Sequence, residues 1–71
     1  MFPNLKMLNI SDSKLKLVRK VDLEEFKNLK IFSLPNNKIE FVPGNLFDNL
    51  KDLEFVSFYE NKVKYIEPNL L

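Results

Sequence analysis

The sequence has no cysteine and no histidine. Disulfide staples and the usual zinc ligands, which support many small folds, are therefore excluded. The thiol nucleophile and the commonest general base of enzymes are excluded with them, so composition predicts no enzyme and no cofactor. An excess of one charge is also missing. Eleven Lys and Arg stand against ten Asp and Glu, a formal net charge of +1, without the basic surplus that marks a nucleic-acid or anionic-membrane binder. Apolar runs extend only a few residues, far below a membrane span. Met1 leads into FPNLKMLNI rather than into the basic segment and apolar core of a secretion signal. The expectation is either a cytoplasmic chain or a piece of a longer protein whose leader lies elsewhere. There is no phosphate-cradling motif and no calcium-loop spacing, and the single glycine, Gly44, follows Pro43 where a turn is expected.

Present instead is a repeat. The 71 residues are enough for one domain, 1–71, with a core only just adequate for stability, so packing has to supply the support that staples do not. Residues 2–25, 26–49 and 50–71 align without a gap as FPNLKMLNISDSKLKLV, FKNLKIFSLPNNKIEFV and LKDLEFVSFYENKVKYI, a period of 24. The apolar columns are Phe2/Phe26/Leu50, Leu5/Leu29/Leu53, Leu8/Phe32/Val56, Ile10/Leu34/Phe58, Leu15/Ile39/Val63, Val18/Val42/Ile66 and Leu23/Phe47/Leu71. Within a unit the spacing is neither helical nor that of a long strand; only the pair two apart, as in Leu8 and Ile10, reads as a short strand. A unit of this kind cannot bury its apolar residues alone but can do so between stacked neighbours. Equivalent strands (KMLNI, KIFSL, EFVSF) then run in one direction as a parallel sheet.

One polar column interrupts this pattern: Ser13, Asn37 and Asn61. After each strand the chain turns inward and removes backbone groups from water, and each one left unpaired costs on the order of 1–3 kcal/mol. An amide offers a carbonyl acceptor and two donors, so one side chain can serve both its own turn and the adjacent unit. The column is read as a structural ladder, with Ser13 supplying fewer groups.

The segments LKMLNISDSKL (5–15), LKIFSLPNNKI (29–39) and LEFVSFYENKV (53–63) follow the pattern Leu-x-x-Leu-x-Leu-x-x-Asn-x-Leu, with Ser for Asn in the first. This resembles the leucine-rich repeat family, and the continuation EFVPGNLFDNL is similar to its 24-residue class from extracellular receptors and adhesion proteins of animals. The resemblance implies an α/β-type solenoid, with a short parallel β-sheet on the concave face and irregular or short helical segments on the convex side. It also implies a secreted or extracellular protein that binds a protein ligand on the concave face. The cysteine-rich caps of such proteins are missing here. A fragment of a longer array, or a subunit that associates with neighbouring repeats or with itself through uncapped ends, is therefore the expectation, and a structural solenoid segment with no ligand of its own is the alternative function.

With one apolar pair per strand pointing inward, the alternate residues point outward. They are Met7, Asn9 and Ser11, then Ile31, Ser33 and Pro35, then Phe55, Ser57 and Tyr59. Together they are the candidate protein-binding face, with Met7, Ile31 and Phe55 as its apolar row and Pro35 and Tyr59 nearby. A second stripe, Leu17/Phe41/Tyr65, is expected to fold over the edge of the core, with a lateral association surface as the alternative. Lys14, Lys38 and Lys62 read as a solvated edge beside Asp12 and Glu60, or as a weak attractor of an acidic partner. Asp22, Glu24 and Glu25 have no counterpart cluster in later units and read as solvated charge. Asn9-Ile10-Ser11 matches the N-glycosylation pattern. A sugar there would obstruct the candidate face, so either the site is unused or binding uses another face.

Overall fold

The structure, a computed structural model, describes residues 4–68. Three short strands, β1 (Met7–Asn9), β2 (Ile31–Ser33) and β4 (Phe55–Ser57), form a parallel sheet in the order β1-β2-β4. The register sets Met7 beside Ile31 and Ile31 beside Phe55, so partners are 24 residues apart in the chain. The flanking hydrogen bonds recur at the same interval. Lys6 O accepts from Lys30 N and Ile31 N at 2.8 and 3.0 Å, and Lys30 O accepts from Glu54 N and Phe55 N at 2.8 and 3.1 Å. Ile10 N donates to Ser33 O and Leu34 N to Ser57 O, both at 3.0 Å.

Side chains alternate across a strand, and in β2 this places Phe32 inside with Ile31 and Ser33 on the outer face. Leu29, Phe32, Leu34, Ile39 and Val42 of the middle unit are almost completely buried. The Phe32 ring meets Phe47 and Phe58 edge-on at centroid separations of 5.7 and 6.2 Å, a favoured aromatic geometry. The same columns are only half-buried on either side, at Leu5, Leu8, Ile10 and Leu15 and at Leu53, Val56, Phe58 and Val63. Ile66, expected in the core with Val18 and Val42, is 52% exposed; it pairs with Val42 on one side, and among the described residues no strand pairs with β5 on the other. Phe2 and Leu71 of the apolar columns lie outside the described residues. Leu46, in none of the seven columns, is buried.

A second, two-stranded parallel sheet pairs β3 (Phe41–Val42) with β5 (Tyr65–Ile66), Phe41 beside Tyr65. The corresponding residues of the first unit do not join it; there Lys38 N donates to Leu15 O at 2.7 Å. The first unit instead forms the one-turn helix α1 (Lys20–Leu23), which buries Leu23. Its entry is fixed by Arg19 N donating to Asp22 Oδ2 at 2.9 Å, a carboxylate meeting one of the unpaired donors of a helix start.

Between strand and ladder the backbone enters the left-handed region at Asp12, Asn36 and Glu60, with φ of 55°, 56° and 59°. These are again one column, and Asn and Asp tolerate the region better than other non-glycine residues. Lys14 adopts it as well, at 60°, in the first unit alone.

Candidate functional site

The three-stranded sheet presents its outer row as the pairing register dictates. Met7 and Phe55 are 54% and 55% exposed, with Ile31 half-buried between them. The next row is Asn9, Ser33 and Ser57, exposed on β1 and half-buried on β2 and β4. Ser11, Pro35 and Tyr59 follow beyond the strand ends, and Tyr59 is 69% exposed. Ser57 Oγ accepts from Tyr59 N at 3.2 Å, which ties the aromatic residue's backbone to the sheet. The face is therefore an apolar row, then a row of small polar groups, then a row with Pro35 and Tyr59. Every one of these residues is carried on a strand or directly after one. Asn9 and Ser11, the ends of the glycosylation pattern, are both exposed.

The ladder column lies behind this face. Asn37 is buried, and its amide is fully used. Oδ1 accepts from Ser13 N at 3.0 Å and Leu15 N at 3.1 Å, while Nδ2 donates to Ile10 O at 2.9 Å and Pro35 O at 3.2 Å. Asn61 repeats the arrangement one unit on. Its Oδ1 accepts from Ile39 N at 2.9 Å, and its Nδ2 donates to Leu34 O at 2.6 Å and Phe58 O at 3.1 Å. Each amide thus joins its own turn to the preceding unit. Ser13 is exposed, and its hydroxyl donates to Ser11 O at 3.1 Å within its own turn. Sequence reasoning placed the column but missed the left-handed residue one step before Ser13, Asn37 and Asn61; of that run, Asp12 and Glu60 were read only as charge beside the lysines, and Asn36 was not singled out.

Gly44 meets a different demand from the one its position after Pro43 suggested. Its φ is not positive. A Cβ there would lie 2.6 Å from the Pro68 carbonyl oxygen and 3.1 Å from Glu67 Cβ. The bare backbone lets Gly44 N donate to Glu67 Oε1 at 2.6 Å. Close approach of the next unit, rather than turn conformation, is what requires the absence of a side chain.

The remaining sequence features sit apart from the outer sheet face. Leu17, Phe41 and Tyr65 are exposed rather than folded over the core. In β3 the inward position belongs to Val42, so period-two alternation turns Phe41 out. The Phe41 and Tyr65 rings stack at 5.6 Å, inclined by 13°. Lys14, Lys38 and Lys62 are all exposed, and Asp12, Lys14, Lys38 and Glu60 line one open cleft. Asp22 lies in α1, with Glu24 and Glu25 exposed after it. A separate apolar cleft, lined by Leu8, Ile10, Leu15, Val18, Leu23 and Phe26, opens on the first unit. Among the described residues no cluster of acidic side chains could hold a metal ion, and no helix is long and apolar enough to cross a membrane. Compared with known proteins, the chain matches no family model, no curated protein and no solved structure.

Proposed function

We propose that the chain is a leucine-rich repeat solenoid segment and that it works as a protein-binding module without catalysis. The outer face of β1, β2 and β4 would be its concave contact surface. The observation that carries this reading is the side-by-side row Met7, Ile31 and Phe55, exposed at both ends and held by backbone pairing. Backbone pairing fixes the spacing of these side chains without a loop to order on contact, and a central apolar group bordered by polar ones is the usual make-up of an energetically dominant contact. Asn9, Ser33 and Ser57 supply such a polar border along one side, with Tyr59 beyond it. The test is a photo-reactive amino acid placed at position 55, with position 21, exposed on α1, as the control. A protein captured only from position 55 is then purified and titrated against the chain carrying Ile31→Ser and Phe55→Ser. Loss of binding with an unchanged melting curve supports the proposal; equal affinity sinks it.

A second reading follows from the uneven burial of the core columns. The middle unit buries most of its apolar columns, whereas the units on either side carry more half-buried apolar side chains, and an apolar cleft opens between the first unit and Phe26. In this reading those surfaces pack against a further repeat or a second copy, as stacked arrays require. Sedimentation of the chain over a hundredfold concentration range separates the two. A monomer throughout removes self-association and leaves the binding module.

A further inference from the structure

We propose that the stripe of Leu17, Phe41 and Tyr65, with Lys16, Lys38 and Lys64 beside it, is a second docking surface that takes an acidic segment of a partner protein bearing a central aromatic side chain. Phe41 and Tyr65 belong to the β3–β5 sheet, with Leu17 in the matching position of the first unit outside it; none of the three lies in the sheet assigned above, so the two proposals stand or fall separately.

Two sets of observations meet here. The first is apolar: Phe41 and Tyr65 are exposed, adjacent in the parallel register, and stacked ring on ring at 5.6 Å. Stacking already restricts both rings, so little side-chain freedom remains to be lost when a partner ring packs on them. The second is charge. Lys16, Lys38, Glu40 and Phe41 line one open cleft, and Lys64 Nζ lies 3.8 Å from Glu40 Oε1. That exposed pair offsets itself. Among the described residues Lys16 and Lys38 have no ion-pair partner, which leaves two ammonium groups in the cleft that Phe41 lines.

The acidic side chains decide between a peptide and an anionic membrane. Glu40 lies within the cleft, and Asp12 and Glu60 line the neighbouring one with Lys14 and Lys38. A flat anionic surface would meet those carboxylates together with the lysines. A peptide can set its own carboxylates against Lys16 and Lys38, lay a ring on Phe41, and leave Glu40 in water.

The probe is a synthetic peptide of about ten residues with a central Trp flanked by Glu, a minimal single-segment contact. The chain contains no Trp, so indole emission reports the peptide alone. The expected result is a saturable emission change that weakens with added salt. Affinity should fall at least about tenfold in Lys16→Glu/Lys38→Glu and in Phe41→Ser/Tyr65→Ser. It should change less than about twofold in Lys27→Glu/Lys51→Glu, which makes the same charge change elsewhere on the surface. Should the aromatic double variant fail to fold by circular dichroism, the lysine pair decides alone. Absence of saturable binding, equal binding of a Lys-for-Glu peptide, or an equal loss in the control pair overturns the proposal. Tighter binding of the chain to phosphatidylserine vesicles than to the peptide also overturns it, in favour of a membrane surface.

Discussion

Asn37 Oδ1 accepts the Ser13 N–H at 3.0 Å, while the Ser13 hydroxyl is directed to Ser11 O in its own turn. Two members of one column thus have unequal tasks. Asn37→Ala strands the amides of Ser13 and Leu15 and the carbonyl of Ile10. At roughly 1–3 kcal/mol for each buried group left unpaired, discounted because these groups are part-buried, a loss of about 2–4 kcal/mol is expected. Ser13→Ala should cost less than about 0.5 kcal/mol, as at an ordinary surface site. Urea unfolding of both variants measures the difference; equal midpoints would contradict the ladder.

Asn37→Asp tests donor chemistry at constant size. The oxygen replacing Nδ2 would face the Ile10 and Pro35 carbonyls, acceptor against acceptor. A destabilisation of at least about 2 kcal/mol is expected at neutral pH. Chemical denaturation reads it, and a neutral outcome would mean that Nδ2 contributes nothing.

Glu60 holds a left-handed φ of 59° in the column where Asn36 holds 56°. Glutamate gains nothing locally from that conformation, whereas Asn tolerates it. Glu60→Asn should stabilise by about 0.5–1 kcal/mol, a rise of roughly 2–8 °C in melting temperature for a domain of this size. A lower melting temperature would show that Glu60 has a compensating contact.

Phe32→Ala opens the centre of the middle unit, where Phe32 touches Phe47 and Phe58. Its expected cost of about 3–5 kcal/mol is a large share of the roughly 4–10 kcal/mol available to a chain this short. Ile66→Ala, at a half-exposed site of the Val18/Val42 column, should cost about 1 kcal/mol or less. Far-ultraviolet circular dichroism during thermal melting distinguishes a core that spans all units equally from one centred on the second.

The apolar columns were legible because each holds one residue class at one interval, and in the middle unit Leu29, Phe32, Leu34, Ile39 and Val42 are buried as that pattern predicts. The outward row of Met7, Ile31 and Phe55 was legible from alternation alone. What the sequence concealed was the second sheet: β3 and β5 are two residues long, too short for a period to emerge, so Phe41 read as part of the core edge. Ile66 misled for another reason. Burial depends on the layer outside a residue as well as on its own hydrophobicity, and no column pattern carries that information. The left-handed column was hidden by Glu60, a residue not associated with such turns.

Gly44 has Lys20 and Pro68 as its column mates, and the Pro68 carbonyl occupies the space where its side chain would be. The three units are therefore not interchangeable bricks. The third unit seats on the second there because no Cβ stands in the way of the Pro68 carbonyl, whereas the second pairs with the first through β1 and β2 although Lys20 holds the matching position. A methyl group added at Gly44 would press on backbone rather than on a yielding side chain, so the seam between the second and third units is the one that a single carbon atom can open.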